Sequence, residues 1–262
     1  MNAKMYIRSG ELFGDWFSPA LDYFLARAGL RDCVRVRCVN GHKACIAPIL
    51  YRSAVWAYYN GFIRSVNCMG NAISLNGTWL SISDYVNINI DGLALRFNSF
   101  KLTFFDVFVL RDYDSVDYRG RVVVDVGAYV GDSSIYFALR GAKKVYAIEP
   151  DRDAYSELLV NIELNNVGDR VVPINTAVGK DGTSLARLVK DYGVETDVLK
   201  MDCEGCEYDV VLNSSEPITE FDEIIIELHK WLGNHRRVEE FLQRSFSCKV
   251  VRANKDVEIL HC

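Results

Sequence analysis

The stretch from Val122 to Glu149, VVVDVGAYVGDSSIYFALRGAKKVYAIE, constrains the fold more than any other part of the chain. Val122 to Val126 is an apolar run of buried-strand length, broken by a tight turn with glycines at 127 and 131. The spacing predicts a helix over about Asp132–Arg140, then a second strand, Lys143–Ile148, ending in the acidic Glu149. Two buried strands joined through a helix form the unit of a parallel sheet.

The rhythm continues downstream. The pattern predicts a helix over about Asp151–Asn165, a third strand at Arg170–Asn175, and a glycine turn at 179–182 leading into a helix over Thr183–Asp191. A fourth strand at Asp197–Met201 and a helical stretch at Cys206–Asn213 come next, then a fifth strand at Glu223–Leu228 and a helix at His235–Arg244. Two final strands, Ser247–Arg252 and Asp256–His261, are close enough to pair antiparallel through Ala253-Asn254-Lys255. Alternating strands and helices imply an α/β fold, a mostly parallel sheet covered on both faces. Such sheets bind ligands outside the carboxyl ends of their strands, where strand order reverses.

Residues 1–118 lack this rhythm and read as a smaller β-rich N-terminal region of unknown role. The pattern predicts a short helix at Asp22–Gly29 and a hairpin from Cys33–Val39 and Cys45–Tyr51. Short strands follow at Ile73–Leu75, Trp79–Ile82, Val86–Ile90, Leu93–Phe97 and Leu102–Leu110, punctuated by Asn76-Gly77 and Asp91-Gly92. Trp56, Tyr58, Tyr59, Phe62 and Trp79 are expected in its core. Tyr118-Arg119-Gly120 marks the entry to the second domain, 119–262.

The chain has 30 basic against 35 acidic side chains, a net charge of −5, and so lacks the basic footprint of a general nucleic-acid binder. Arg31, Arg35, Arg37 and Lys43 are the one basic cluster of note and read as a solvated face. With no apolar leader and no run of membrane-spanning length, the expectation is a soluble cytoplasmic protein. In that setting the eight cysteines are not expected to form a secreted disulfide framework, and Cys38 and Cys45 are expected to be reduced. Cys38 and Cys45 flank Asn40-Gly41 and are expected to face each other across a hairpin, with a disulfide, or a metal shared with His42, as the alternatives. Cys203 and Cys206 form a CxxC without thioredoxin-like surroundings and read as incidental small residues.

Three motifs fall at strand ends. In Asp125-x-Gly127-x-x-x-Gly131 an acidic residue precedes the first glycine, where a dinucleotide fingerprint would carry glycine. Asp125 and Asp132 would repel phosphate at that mouth and welcome an ammonium group. Glu149 stands where a carboxylate can accept both hydroxyls of a ribose. A ribose and an amino group without phosphate describe S-adenosylmethionine better than a dinucleotide. The second motif, KMDCEGCE, sets Asp202, Glu204 and Glu207 on one rim, although Glu204 and Glu207 also suit a helix N-terminus. In the third, IIIELH, period two puts Glu227 and His229 on the same face at a strand end.

VVVDVGAYVGDSSIYFALRGAKKVYAIEP, LLVNIELNN, LKMDCEGCEYDVV and IIIELH together resemble the FkbM-type family of S-adenosylmethionine-dependent methyltransferases, over roughly Tyr118–His229. The resemblance implies a Rossmann-like class I methyltransferase sheet of seven strands and methylation of an oxygen. Asp125, Gly127, Ala128, Gly131 and Asp132 then fall on the cofactor loop, Glu149 on the ribose, and Asn175, Thr176 and Ala177 along the adenine, with Asp202 also beside the cofactor. The acceptor implied is a small hydroxyl compound or sugar. The sequence departs from the family around Glu204-Gly205, where Cys203 and Cys206 replace small and aliphatic residues.

Two mechanisms stay open. In one, His229 is the general base while Asp202 and Glu204 orient the acceptor. In the other, a divalent metal sits on Asp202, Glu227 and His229, an arrangement similar to that of catechol-type O-methyltransferases. No Asn/Asp-Pro-Pro-Tyr signature follows the fourth strand, which argues against methylation of amino groups. A non-catalytic nucleoside-binding module and an RNA 2′-hydroxyl methyltransferase are the competing readings.

Overall fold

The computed structural model describes residues 3–180, 182–213 and 216–262. The chain divides into two compact units, Met1–Arg111 and Asp112–Cys262. The boundary therefore falls seven residues before the expected 118, which transfers Tyr113 to the second unit.

The first unit opens with helices α1 (Ala3–Arg8), α2 (Gly10–Phe13) and α3 (Phe17–Arg27), then the hairpin β1 (Val34–Arg37) and β2 (Lys43–Ile46). The Asp15 carboxylate accepts from the amides of Phe17 and Ser18, so α3 starts five residues earlier than expected. Helix α4 (Pro48–Tyr59) replaces the strand expected through Tyr51. Proline suits the first helical turn, and Leu50, Tyr51, Ala54 and Val55 are buried at helical, not alternating, spacing. Trp56, expected in the core, is 44% exposed on this helix.

A five-stranded antiparallel meander follows: β3 (Val66–Met69), β4 (Ala72–Leu75), β5 (Thr78–Ile82), β6 (Val86–Ile90) and β7 (Leu93–Phe97). Its Asn76-Gly77 and Asp91-Gly92 turns have left-handed backbones at both central positions, as tight hairpins demand. The segment expected as a last strand is instead a π-helical turn, Phe105–Leu110, anchored by the packing of Phe104 and Phe108 on Phe97.

All eight cysteines are paired, as Cys33–Cys45, Cys38–Cys68, Cys203–Cys206 and Cys248–Cys262, against the expectation of reduced thiols at Cys38 and Cys45 and of incidental small residues at Cys203 and Cys206. Cys38 and Cys45 do not face each other. Arg35 is the residue opposite Cys45, and the inward-facing Cys38 lies at the other parity from the outward-facing Cys45. Each therefore bridges to a cysteine on its own face.

The second unit holds β8 (Val122–Val126), α5 (Asp132–Leu139), β9 (Lys144–Ile148), α6 (Arg152–Leu164), β10 (Val171–Ile174), α7 (Leu185–Tyr192), β11 (Val198–Met201), α8 (Cys206–Val211), β12 (Glu223–His229), α9 (His235–Ser245), β13 (Lys249–Ala253) and β14 (Val257–His261). The strand order is β10-β9-β8-β11-β12-β14-β13, with β14 antiparallel to both neighbours and the first five strands parallel. This is the class I methyltransferase sheet. On one face Val124, Val126, Leu199, Met201, Ile224 and Ile226 pack against Leu185, Val210, Val238 and Leu242 of α7, α8 and α9. On the other, the residues of opposite parity include Asp125 and Lys200, and α5 covers them. Strand order reverses at β8, between β9 and β11, so a ligand crevice is expected beyond Val126 and Met201.

Candidate active site

The loop after β8 is held by contacts that leave no room for side chains. Gly127 has φ +81°, and a Cβ there would lie 1.8 Å from the carbonyl oxygen of Asp202. At Gly131 (φ +86°) a Cβ would lie 2.4 Å from Leu158 Cδ1. The amides of Gly127 and Ala128 both donate to the Ile148 carbonyl, which fastens the loop to the end of β9.

Asp125 faces inward, away from the ligand role read from the sequence. It is fully buried, accepts from Ser133 Oγ at 2.7 Å and Ser134 Oγ at 2.5 Å, and lies 2.9 Å from Lys200 Nζ. Parallel register sets Lys200 of β11 directly beside Asp125 of β8. A fully buried carboxylate needs a counter-charge, and the chain supplies its own, so no ligand ammonium is called for there. Lys200 also donates to the Gly127 carbonyl at 2.8 Å. Burial alone would pull the Lys200 ammonium down, but Asp125 and Asp202 outweigh it and hold its pKa above the ordinary lysine value. Asp132 is buried at the head of α5.

Glu149 closes the crevice from β9. Its Oε2 accepts from the Tyr129 amide and its Oε1 from the Asp151 amide, each at 2.8 Å, leaving a second lone pair on each oxygen. Burial raises its pKa despite those two amides. Asn175 Nδ2 donates to the Glu149 carbonyl at 2.8 Å and the Pro150 carbonyl at 3.2 Å, so this side chain props the corner that presents Glu149. Thr176 and Ala177, with Gly127, Ile148, Pro150 and Cys203, line a cavity of about 80 Å³ at the carboxyl ends of the strands.

The opposite rim is acidic. Asp202 follows β11 and accepts from the Tyr113 hydroxyl at 3.1 Å. Burial, then Asp202, drives the Tyr113 pKa well above the ordinary tyrosine value, so that hydroxyl keeps its proton. His229, 6% exposed at the end of β12, points Nε2 between Glu227 Oε1 at 3.7 Å and Asp202 Oδ1 at 3.8 Å. Its Nδ1 makes an ion contact of 3.3 Å with Glu207 Oε1, off the axis of an aligned hydrogen bond. Burial disfavours the imidazolium, but Glu207, Asp202 and Glu204 outweigh it, and the His229 pKa lies above the ordinary histidine value.

Glu207, fully buried, accepts from the amides of Cys203 and Gly205 and thereby closes the turn before α8. Glu204, expected to orient the acceptor, is exposed at the apex of that turn with a left-handed backbone (φ +53°), joined to His229 only through its charge. Among the described residues, ligand atoms of Asp202, Glu227 and His229 lie within 4.8 Å of one another and could hold a cation.

Three participants escaped sequence reasoning. Lys200 carried a signal, a lysine inside an otherwise apolar strand. Glu207 was assigned only to its helix, and Tyr113 lay before the expected boundary.

Two family profiles match the chain: the TRM5/TYW2 methyltransferase domain over residues 114–205, and the methyltransferase FkbM domain over residues 174–248. The FkbM profile thus covers the later part of the span in which the sequence resembles that family. An uncharacterized protein of Sulfolobus islandicus rod-shaped virus 1 is 25% identical over 122 residues, 47% of this chain and 69% of its own. Ribosomal protein L11 methyltransferase of Colwellia psychrerythraea is 35% identical over 97 residues, 36% of this chain and 32% of its own. Among solved structures, the T. thermophilus 16S rRNA N2 G1207 methyltransferase, in complex with AdoMet and guanosine, is 15% identical with a TM-score of 0.45, covering 68% of this chain and 49% of that one.

The fold and the profiles define an S-adenosylmethionine-dependent methyltransferase. The cradle fits that cofactor, with a glycine loop against backbone, a carboxylate with free lone pairs and an uncharged cavity wall. The expectation of a small hydroxyl compound as partner, with nucleic acid disfavoured, is corrected by the match to the TRM5/TYW2 methyltransferase domain over residues 114–205, most of the span on which that expectation rested. The net charge behind that expectation averages two unlike halves. No described helix is long and apolar enough to cross a membrane.

Proposed function

We propose that this protein transfers a methyl group from S-adenosylmethionine to a hydroxyl oxygen of RNA. The observation that carries the acceptor class is the division of charge. Residues 1–111 contain 12 Lys and Arg against 7 Asp and Glu, a formal +5, whereas residues 112–262 contain 18 against 28, a formal −10. Charge asymmetry of this kind between halves is typical of chains that handle a polyanion with one part and do chemistry with the other. The TRM5/TYW2 profile match agrees with an RNA acceptor.

Glu149 would hold the ribose hydroxyls of the cofactor, and Thr176 and Ala177 would border its adenine. Bound there, the cofactor supplies an electrophilic methyl group on a sulfonium. The rim of Asp202 and His229 faces the acceptor. His229 takes the hydroxyl proton on Nε2, and Asp202, fixed by Tyr113, orients the acceptor and stabilises the imidazolium that forms. Glu207 holds the ring from the Nδ1 side.

The test is to incubate the purified protein with labelled S-adenosylmethionine and total RNA, then digest to nucleosides and identify the product by mass spectrometry. Ribose-methylated nucleosides support the reading. Label confined to bases would overturn oxygen as the acceptor, and label absent from RNA would overturn the RNA acceptor.

A second reading of the rim rests on one observation, the convergence of Asp202, Glu227 and His229. With one nitrogen and two carboxylates it suits Mn²⁺ better than Mg²⁺. Activity that survives exhaustive chelation removes it.

A further inference from the structure

If the acceptor is RNA, the acidic methyltransferase unit cannot attract it, and the first unit must supply the attraction. Its cations are not spread evenly. Residues 27–43 carry five, Arg27, Arg31, Arg35, Arg37 and Lys43, against the single carboxylate Asp32. All five are exposed. We propose that the groove between α3 and the β1–β2 hairpin, with Arg35, Arg37 and Lys43 on its hairpin wall, is a docking site for the phosphate backbone of RNA.

The charges facing this groove support the proposal. The α3 side presents Asp15 and Asp22, and both are committed to other partners. Asp15 accepts from the amides of Phe17 and Ser18. Asp22, whose side chain is 3% exposed, lies 3.1 Å from Arg31 Nε and accepts from Arg35 Nε at 2.8 Å and Arg35 Nη2 at 3.1 Å. One buried carboxylate thus meets two guanidiniums, and Arg35 keeps a side chain 61% exposed beside the groove.

Arg37 and Lys43 have no such partner. They are direct neighbours across the hairpin, and neither meets a carboxylate among the described residues. Like charges directly opposite in a two-stranded ribbon repel each other, and a bound anion between them would relieve that repulsion. The ribbon is also pre-organised. Cys45 is tied to Cys33 and Cys38 to Cys68, and Asn40 Nδ2 donates to the Cys68 carbonyl at 3.0 Å, so the cations are displayed on a frame with little freedom to collapse. The floor, with Phe13, Pro19, Val36 and Ala44, is apolar, and the cations stand along its hairpin wall; spaced cations on a rigid ribbon fit a repeating phosphodiester.

This inference rests on the RNA-acceptor reading, and the experiment separates the two. Fluorescence anisotropy with labelled oligouridylate is measured on the full chain, on Arg37→Glu/Lys43→Glu, on the milder Arg37→Gln/Lys43→Gln, and on Arg64→Glu, an exposed cation outside the groove. The glutamate pair is expected to weaken binding at least about tenfold and to lower the slope of log K against log salt by about 1.4, two phosphate contacts at roughly 0.7 each. The glutamine pair should give an intermediate loss and Arg64→Glu little change. Near-ultraviolet circular dichroism, which reports the aromatic packing of the first unit, should be unchanged in every variant, and stabilisation by S-adenosylhomocysteine should persist, showing that both units are folded.

Unchanged binding by the glutamine and glutamate pairs would overturn the groove, even if RNA is methylated. Polyglutamate binding as tightly as oligouridylate would also overturn it, in favour of an acidic protein partner. Groove-dependent RNA binding without methylation of any RNA would leave the docking site standing and remove the RNA-acceptor reading.

Discussion

Lys200 Nζ lies 2.9 Å from Asp125 Oδ1, and neither side chain is more than 2% exposed. The pair links β11 to β8 at the point where strand order reverses, and through the Gly127 carbonyl it also supports the cofactor loop. Lys200→Met would leave the Asp125 carboxylate buried without a counter-charge, at a cost of about 3–5 kcal/mol. The double variant Asp125→Asn/Lys200→Met removes both charges and should recover much of that loss. Urea unfolding of the three proteins checks this, and equal stability of single and double variants would show that the pair is not coupled.

Gly127→Ala is expected to abolish cofactor binding. The added methyl would meet the Asp202 carbonyl at 1.8 Å, on a backbone that L-residues rarely adopt. The strands beneath form independently of that atom, so the loss should appear first as a missing thermal shift with S-adenosylhomocysteine. A shift of the wild-type size would contradict the geometry.

The pH dependence of methyl transfer should carry the signature of His229. A base must be neutral to accept a proton, and the His229 pKa is raised, so in chelator-treated protein the rate should rise with pH through a midpoint above about 6.5. Glu207→Gln removes the carboxylate at Nδ1 and should move that midpoint to lower pH. The same shift acts on stability. The contribution is fully present below the unfolded-state value and is lost as pH rises through the folded-state one. Kinetic profiles of wild type, Glu207→Gln and His229→Ala decide the matter, and an unaltered profile in His229→Ala removes the residue from the proton path.

The Cys38–Cys68 bridge spans a sequence separation of 30 residues and ties the hairpin to the meander. Replacing both cysteines by alanine should lower stability by about 3 kcal/mol. Intact mass before and after reduction should differ by two hydrogens for each of the four bridges, and free thiols in the unreduced protein would count against the pairing.

The sequence was most legible where local pattern and tertiary role coincide. Val122–Val126 is an unbroken apolar run because β8 is buried on both faces, and a run of that kind can be read without knowing its neighbours. The tight turns at Asn76-Gly77 and Asp91-Gly92 were readable for a similar reason, since their chemistry is confined to two residues. The Asp125–Lys200 pair was not readable, because it depends on a register between strands separated by more than 70 residues. Cys38 and Cys45 misled because closeness in sequence does not settle which face each side chain occupies. Helix α4 was hidden by the apolar run Ile46-Ala47-Pro48-Ile49-Leu50, which suits a strand as well as a helix until Pro48 is taken as a helix start. The places of Glu149 and His229 at strand ends were legible, whereas Tyr113 reaches Asp202 from a segment with no pattern of its own.

The close approach of Gly127 to Asp202 has a consequence for how the enzyme can change. The Asp202 amide donates to the Val126 carbonyl at 3.0 Å, and the Asp202 carbonyl fills the space where a side chain on Gly127 would stand. If Gly127 seats the donor and Asp202 faces the acceptor, as proposed, loop and rim share a wall one backbone thick. A substitution that shifts Asp202 to suit a new acceptor also deforms the seat of the methyl donor, so selectivity and cofactor affinity cannot drift separately there. The exposed Glu204, two residues further on, is under no such packing constraint.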